Sequence, residues 1–297
     1  MVRLPTGVCI AILGLAVALF ANSHAADDSP AKTSIVESGP LSFEASVIRD
    51  KFGYAYGTVA VDLDRDGDLD LTCADATDNQ LMWFANDGTG HFRQHLVCDN
   101  DPGLFERHAV GDINGDDWPD IVIVKNWVGE LLWFEHSGKG GDVNPWNRHV
   151  ITNEFSRAYD VALADIDGDG DLDVAGSNYA GREFAWFEND GTPDDDDLWK
   201  KHLVDTDLND TRTIACADFN GDGRIDLLGT VLGQPLVAWY ESLDDNDKVV
   251  WKKHVVDNQS PNPCHGHPAD MDGDGDIDII VGLGYFDGTD KDSTHQA

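Results

Sequence analysis

The chain has 297 residues, 41% of them hydrophobic, with 56 acidic against 20 basic side chains and a formal net charge of −36. That length and apolar content suit one large folded unit and argue against disorder. The acidic excess argues against nucleic acid and anionic membrane surfaces as partners, because their phosphates would be repelled.

In chain order, residues 1–26 read as a secretory signal. Arg3 supplies the positive start, Gly7–Phe20 is an apolar run too short to span a bilayer, and Ser23-His24-Ala25 offers a small-x-Ala cleavage site. The expectation is an exported protein, extracellular or periplasmic, without membrane insertion. Residues 27–42 are polar and read as a linker, residues 43–290 as a repeat domain opened by the strand-like Phe43–Ile48, and residues 291–297 as a tail. Cys73, Cys98, Cys216 and Cys264 would remain after cleavage. They form no C-x-x-C pair and share no phase of the repeat, which leaves three full disulfide pairings or four free thiols open.

The repeat is anchored by Asp165-Ile166-Asp167-Gly168-Asp169-Gly170-Asp171-Leu172-Asp173, of the form D-x-D-x-D-G-x-x-D. Aspartates at alternate positions point several carboxylate oxygens at one centre, and glycine at the sixth position allows a left-handed turn around it. Hard oxygen donors in a flexible loop suit Ca²⁺ better than Mg²⁺. Four similar loops begin at Asp62, Asp112, Asp218 and Asp270, with first aspartates 50, 53, 53 and 52 residues apart along the chain. A fixed period of that size marks a repeat architecture. The expected metal ligands are Asp62, Asp64, Asp66 and Asp70; Asp112, Asn114, Asp116 and Asp120; Asp165, Asp167, Asp169 and Asp173; Asp218, Asn220, Asp222 and Asp226; and Asp270, Asp272, Asp274 and Asp278. The second loop has Asp117 in place of the turn glycine. Asn220 and Arg224 lower the charge of the fourth, so weaker binding is expected in both the second and the fourth.

Each repeat has one grammar. A small-residue strand such as Thr58-Val59-Ala60-Val61 precedes the aspartate loop, and an apolar β run such as Ile121-Val122-Ile123-Val124 follows it. Trp83, Trp133, Trp186 and Trp239 each lie 21 residues after the first aspartate of their loop. A strand of the form aromatic-x-x-His closes the repeat, carrying His95, His149, His202 and His254. Because they recur in phase, these histidines read as structural, and the tryptophans as packing between repeats. An EF-hand would need Glu at the twelfth position, where Cys73, Ile123, Gly176, Gly229 and Val281 stand. A dockerin would place helices, not β runs, after each loop.

Four short strands and one ion loop in about fifty residues is the content of a propeller blade. The units resemble the FG-GAP-like or VCBS-type repeats of calcium-binding β-propellers, related to those of integrin α-subunit heads, over roughly Phe43–Gly284. The resemblance implies an all-β propeller of about five four-stranded blades with several structural Ca²⁺ ions. It says little about activity, since such propellers serve as adhesins, sugar binders and enzyme scaffolds. The fifth repeat has Lys291 where its tryptophan falls due, so the last blade is expected to be incomplete or to be closed by the N-terminal strand Phe43–Ile48.

Strand alternation puts all ion loops at one end of the blades and the turns before the innermost strands at the other. Residues at that second end differ from repeat to repeat. Arg107, His108, Arg157, Tyr159, Arg212, His265 and Trp127 are the expected ligand-binding set, with Tyr54, Tyr56, Glu106, Asp160 and His267 nearby in sequence. Arginine can clamp a carboxylate with two donors, and aromatic faces can stack on a sugar ring. The leading expectation is an exported propeller that binds a carbohydrate or a protein without catalysis. The alternative is a sugar lyase or dehydratase, with His108, His265 or Tyr159 as base beside Arg107, Arg157 or Arg212. No nucleophile elbow, zinc-protease helix or phosphate loop occurs.

Overall fold

The computed structural model of the protein describes residues 46–138, 146–194, 197–246 and 248–283. Among these, every regular element is a β-strand. The first blade holds β1 (Ala55–Val61), β2 (Asp70–Asp75), β3 (Gln80–Asn86) and β4 (Phe92–Cys98). The second holds β5 (Phe105–Gly111), β6 (Asp120–Lys125), β7 (Glu130–Glu135) and β8 (Asn147–Thr152). The third holds β9 (Ala158–Ala164), β10 (Asp173–Asn178), β11 (Glu183–Glu188) and β12 (Lys200–Asp205). The fourth holds β13 (Thr211–Ala217), β14 (Asp226–Val231), β15 (Leu236–Asp244) and β16 (Val249–Asp257), and the fifth β17 (Pro263–Ala269) and β18 (Asp278–Leu283).

Each blade is an antiparallel meander in which neighbours in sequence are neighbours in space. The first strands stand side by side in the order β1, β5, β9, β13, β17. Their small residues permit this approach: β9 carries Ala158, Ala162 and Ala164 and is buried along its whole length. The second strands β6, β10 and β14 are also buried throughout, and the fourth strands β4, β12 and β16 hold no buried residue. This matches the near-continuous apolar runs read after each aspartate loop.

The core lies between blades. Phe105, Ile121 and Leu132 pack with Ala74 and Leu81 between the first two blades. Trp133 and Val122 meet Leu163 and Phe187 between the second and third. Phe184 and Trp186 meet Ile214, Leu227 and Tyr240 between the third and fourth. Each histidine of the fourth strands stacks on the tryptophan beside it: Trp83 on His95, Trp133 on His149, Trp186 on His202 and Trp239 on His254, at centroid distances of 4.1–4.5 Å. Glu135, Glu188 and Glu241 hydrogen-bond His149, His202 and His254 from the neighbouring strand. The first blade has Ala85 at that position, and there Arg93 Nε donates to His95.

The fifth blade has two strands among the described residues. Ser46–Ile48 form no strand, and Phe43–Ala45 lie outside the described residues, as does the expected tail. Residues 284–297, which would supply the rest of that blade, also lie outside the described residues. All four cysteines of the repeat region are free. No helix among the described residues is long and apolar enough to cross a membrane.

Close blade packing leaves no room at two glycines. A Cβ on Gly229 would lie 2.5 Å from the Phe184 ring of the preceding blade, and one on Gly176 2.7 Å from Phe155. Gly229→Ala is expected to lower stability by roughly 1–3 kcal/mol through overpacking, read as a drop in the thermal midpoint.

Candidate functional site

The five aspartate loops join first to second strands, so they share one end of the blades. The opening aspartate of each caps its own turn. Asp62 accepts the amides of Asp66 and Gly67, Asp112 those of Asp116 and Asp117, and Asp165 those of Gly168 and Gly170. Two positions per loop are left-handed. The sixth is filled by Gly67, Asp117, Gly170, Gly223 and Gly275, as the motif predicts, and the fourth by Arg65, Gly115, Gly168, Gly221 and Gly273. The fourth position was readable from its four glycines and was missed.

In the first four loops the ninth aspartate is a buried anchor. Asp70 accepts the amides of Leu63 and Asn86, Asp120 those of Ile113 and His136, Asp173 those of Ile166 and Asn189, and Asp226 those of Phe219 and Ser242. Burial pushes the Asp120 carboxyl up to about 7 and that of Asp173 up to about 8. Asp64 and Asp167 are raised by burial and by their neighbouring carboxylates. Mutual repulsion of this kind is what a cation would relieve.

Three loops bring three carboxylates within 4.8 Å of one another: Asp62, Asp64 and Asp66; Asp165, Asp167 and Asp173; Asp270, Asp272 and Asp278. Asp64 Oδ1 is buried without a hydrogen-bond partner. An orphaned carboxylate oxygen among other carboxylates fits a hard cation. In the fourth loop Arg224 pairs with Asp222 at 2.9 Å, and Asn220 also donates to Asp222, so that loop satisfies part of its own charge.

At the opposite end, every innermost strand is interrupted at its start. The registers of β1, β5, β9, β13 and β17 against their second strands slip around Gly57, Glu106–Arg107, Tyr159, Arg212–Thr213 and Cys264. A bulge re-aims the side chains it carries. Three of these bulges carry Arg107, Tyr159 and Arg212, whose side chains meet.

Arg107 is the centre of this group. Its Nη2 donates to His265 Nδ1 at 2.9 Å, and its Nη1 lies 3.9 Å from Asp160 Oδ1. Its guanidinium carbon stands 5.8 Å over the Tyr56 ring and 5.0 Å over the Tyr159 ring. Arg107 thus touches the first, third and fifth blades from the second, which sets the innermost strands around a common axis. Arg107 Nε is buried without a partner. Arg212 stacks on Tyr159 at 4.6 Å and on Tyr179 at 5.2 Å, and pairs with Asp210 at 2.9 Å.

The groups around Arg107 are strongly perturbed. Burial pushes Glu106 up to about 7, against the pull of Arg107, Arg212 and Arg157. It pushes Asp160 up to about 6, with Arg107 opposing. Burial and Arg107 press His265 down to about 4, and His267 is also lowered. Burial raises Tyr56 and Tyr159. Several shifted groups clustered around one arginine mark a candidate functional site.

The FG-GAP-like repeat matches the sequence four times, at residues 62–123, 112–176, 165–229 and 218–281. The chain belongs to the FG-GAP-like repeat family. No curated protein matches it. Among solved structures, a proposed gluconolactonase is 15% identical over 69% of this chain and 64% of its own, with a TM-score of 0.44. A proposed 6-phosphogluconolactonase from Bacteroides uniformis is 13% identical over 69% of this chain and 56% of its own, with a TM-score of 0.47. The rhamnogalacturonan lyase YesW is 12% identical over 77% of this chain and 55% of its own, with a TM-score of 0.40. This chain covers less than two thirds of each, and at these identities the likeness carries nothing about substrate.

On the FG-GAP-like scaffold the expected ligand set separates. Arg107, Tyr159, Arg212 and His265 come together at the axis. Arg157 sits on the rim, where its Nη1 reaches Asn126 Oδ1 and Tyr179 OH at 3.4 Å. His108 is only 2% exposed. Its Nε2 lies 2.8 Å from Thr72 Oγ1, in the seam between the first two blades and away from the axis. Trp127 stands apart on an outer turn, 65% exposed. Glu106, Asp160 and Tyr56 complete the centre. All three were visible in the sequence as residues that break the repeat.

The buried anchor is open to test at Asp226, whose loop holds no three-carboxylate cluster. Asp226→Asn leaves an amide NH₂ facing one of two backbone N–H donors. It is expected to cost roughly 1–3 kcal/mol, read by urea unfolding in the presence of chelator.

Proposed function

We propose that the protein is an exported propeller, stabilised by Ca²⁺ in its aspartate loops, that binds an acidic carbohydrate at the axis. The observation that carries the reading is Arg107, held between the rings of Tyr56 and Tyr159 with an unpartnered buried Nε, beside a second stacked guanidinium on Arg212. Two guanidinium groups offer donors to a carboxylate. Tyrosine edges and faces offer the apolar and hydroxyl contacts of a sugar ring. The neutral His265 imidazole and the Asn126 amide add hydrogen-bonding capacity. The signal-like residues 1–26 support export, and millimolar Ca²⁺ outside the cell would fill even weak sites.

One feature favours a second reading, a lyase. His265 is held neutral against Arg107, so an imidazole able to take a proton sits next to a cation able to stabilise the charge left behind. Near-ultraviolet absorbance of an unsaturated product would identify that activity, and an unchanged ligand after prolonged incubation would refute it.

Ligand affinity should depend on pH. Glu106 and Asp160, with carboxyl groups near 7 and 6, take up protons as pH falls from about 8 to about 5.5 and stop repelling a ligand carboxylate, which stays ionised above about 4. His265, near 4, stays neutral across that window. Calorimetry with hexuronate sugars is expected to show affinity rising roughly three- to tenfold over this fall in pH, and Arg212→Lys should weaken binding at every pH. Affinity that is flat or falls with acidification would refute the reading.

The cation role has its own signature. Carboxyl groups raised by burial stabilise the cation-free fold only while protonated, so its stability is lost as pH rises through about 7 at Asp120 and about 8 at Asp173. A bound cation replaces the proton. The gain in thermal midpoint on adding Ca²⁺ after chelation should therefore be larger at pH 8 than at pH 5.5. A metal count should find ions in the first, third and fifth loops before the second and fourth.

A further inference from the structure

A groove of about 410 Å³ lies between turns of the first and second blades, at the end opposite the aspartate loops. Tyr54 and Trp127 line it, with Thr77, Asn79, Pro102 and Leu104. These two rings are among the most exposed large hydrophobic side chains, at 58% and 65%. The volume is within the range of ligand clefts, about 300–1,000 Å³.

The exposed indole breaks the repeat. Trp127 stands two residues after β6, and the same place after β2, β10 and β14 holds Thr77, Ala180 and Gly233. Nothing in blade packing therefore asks for a tryptophan there. Its turn is also rigid: Trp127 N donates to Gly103 O at 3.0 Å, Asn126 N to Leu104 O at 3.1 Å and Gly129 N to Lys125 O at 3.0 Å. Leu104 holds a left-handed backbone, with its amide bonded to Asn79 Oδ1 at 3.1 Å. An aromatic ring carried on a hydrogen-bonded turn and left in water costs little backbone ordering on covering a ligand.

The groove joins the axial cluster by two routes. The Tyr54 ring lies 5.6 Å from the Tyr56 ring, which Arg107 covers. Asn126, next to Trp127, donates to Glu106 Oε2 at 3.3 Å and accepts from Arg157 at 3.4 Å. We propose that the groove is a second sugar subsite, and that the ligand is an acidic oligosaccharide whose carboxylate-bearing residue sits at Arg107 and Arg212 while a following residue lies between Tyr54 and Trp127. The inference rests on the axial reading above and adds chain length to it.

The test is calorimetry of the whole protein with the monomers and linear tetramers of galacturonate, glucuronate and mannuronate. At least one tetramer should bind about tenfold or more tightly than its monomer. Trp127→Ala should bring the tetramer to within about twofold of the monomer and leave monomer affinity and the thermal midpoint in place. Quenching of the exposed indole by iodide, relieved by tetramer but not by monomer, gives a readout that needs no variant. Equal affinity for monomer and tetramer, or a length gain that survives Trp127→Ala, would overturn the groove and leave the axial site standing. No binding by any monomer or tetramer would overturn both.

Discussion

The structure depends on a buried carboxylate. The ninth aspartate of the first four loops is removed from water, a costly state for an ionisable group unless hydrogen bonds replace its hydration. It receives them from an amide seven residues before it, in the loop, and from one sixteen residues after it, at the end of the third strand. One side chain thus fastens loop, second strand and third strand, and its repetition holds four blades to one geometry. In the fifth blade Asp278 keeps the first bond, from Met271, and the residue that would give the second, Thr294, lies outside the described residues.

That anchor separates what the repeat fixes from what it leaves free. Tryptophan and histidine stack in the same phase of every complete blade, and glutamate joins them in three of the four. Such positions are the scaffold. At the far end, the bulges that open the innermost strands hold Gly57, Glu106–Arg107, Tyr159, Arg212–Thr213 and Cys264. A bulge conserved in place but not in side chain is a device for presenting different chemistry from identical blades. Arg107, packed between two tyrosine rings, shows how one blade can organise its neighbours through it.

Much of this was legible in the sequence. The fifty-residue period, the aspartate loops, the strand content and the tryptophan register are all local signals repeated in phase, and repetition turns weak local propensity into a firm assignment. His108 shows the limit. It neighbours Arg107, but across a bulge, so one side chain turns to the axis and the other into the seam against Thr72. Alternation along a strand cannot be counted through an inserted residue. The buried role of the ninth aspartates was hidden for another reason: a carboxylate that bonds amides and one that binds a cation look the same in a motif. Ser46–Ile48 form no strand, because pairing depends on distant partners that sequence pattern does not specify.

The two ends of the blades carry opposite electrostatic loads. The five loops hold 22 aspartates, a large part of the acidic excess behind the net charge of −36. Arg107, Arg157 and Arg212 stand at the other end. At physiological ionic strength exposed charges are screened beyond about 8 Å, so the loops barely weaken an anion once it is seated against the guanidinium groups. They act on its approach, because the field of the whole molecule governs encounter. Each divalent cation in a loop would remove two charges from that field without touching the mouth. Cation loading should therefore change the association rate of an acidic ligand more than its dissociation rate, and added salt should erase the first effect while leaving the contacts of the seated ligand in place.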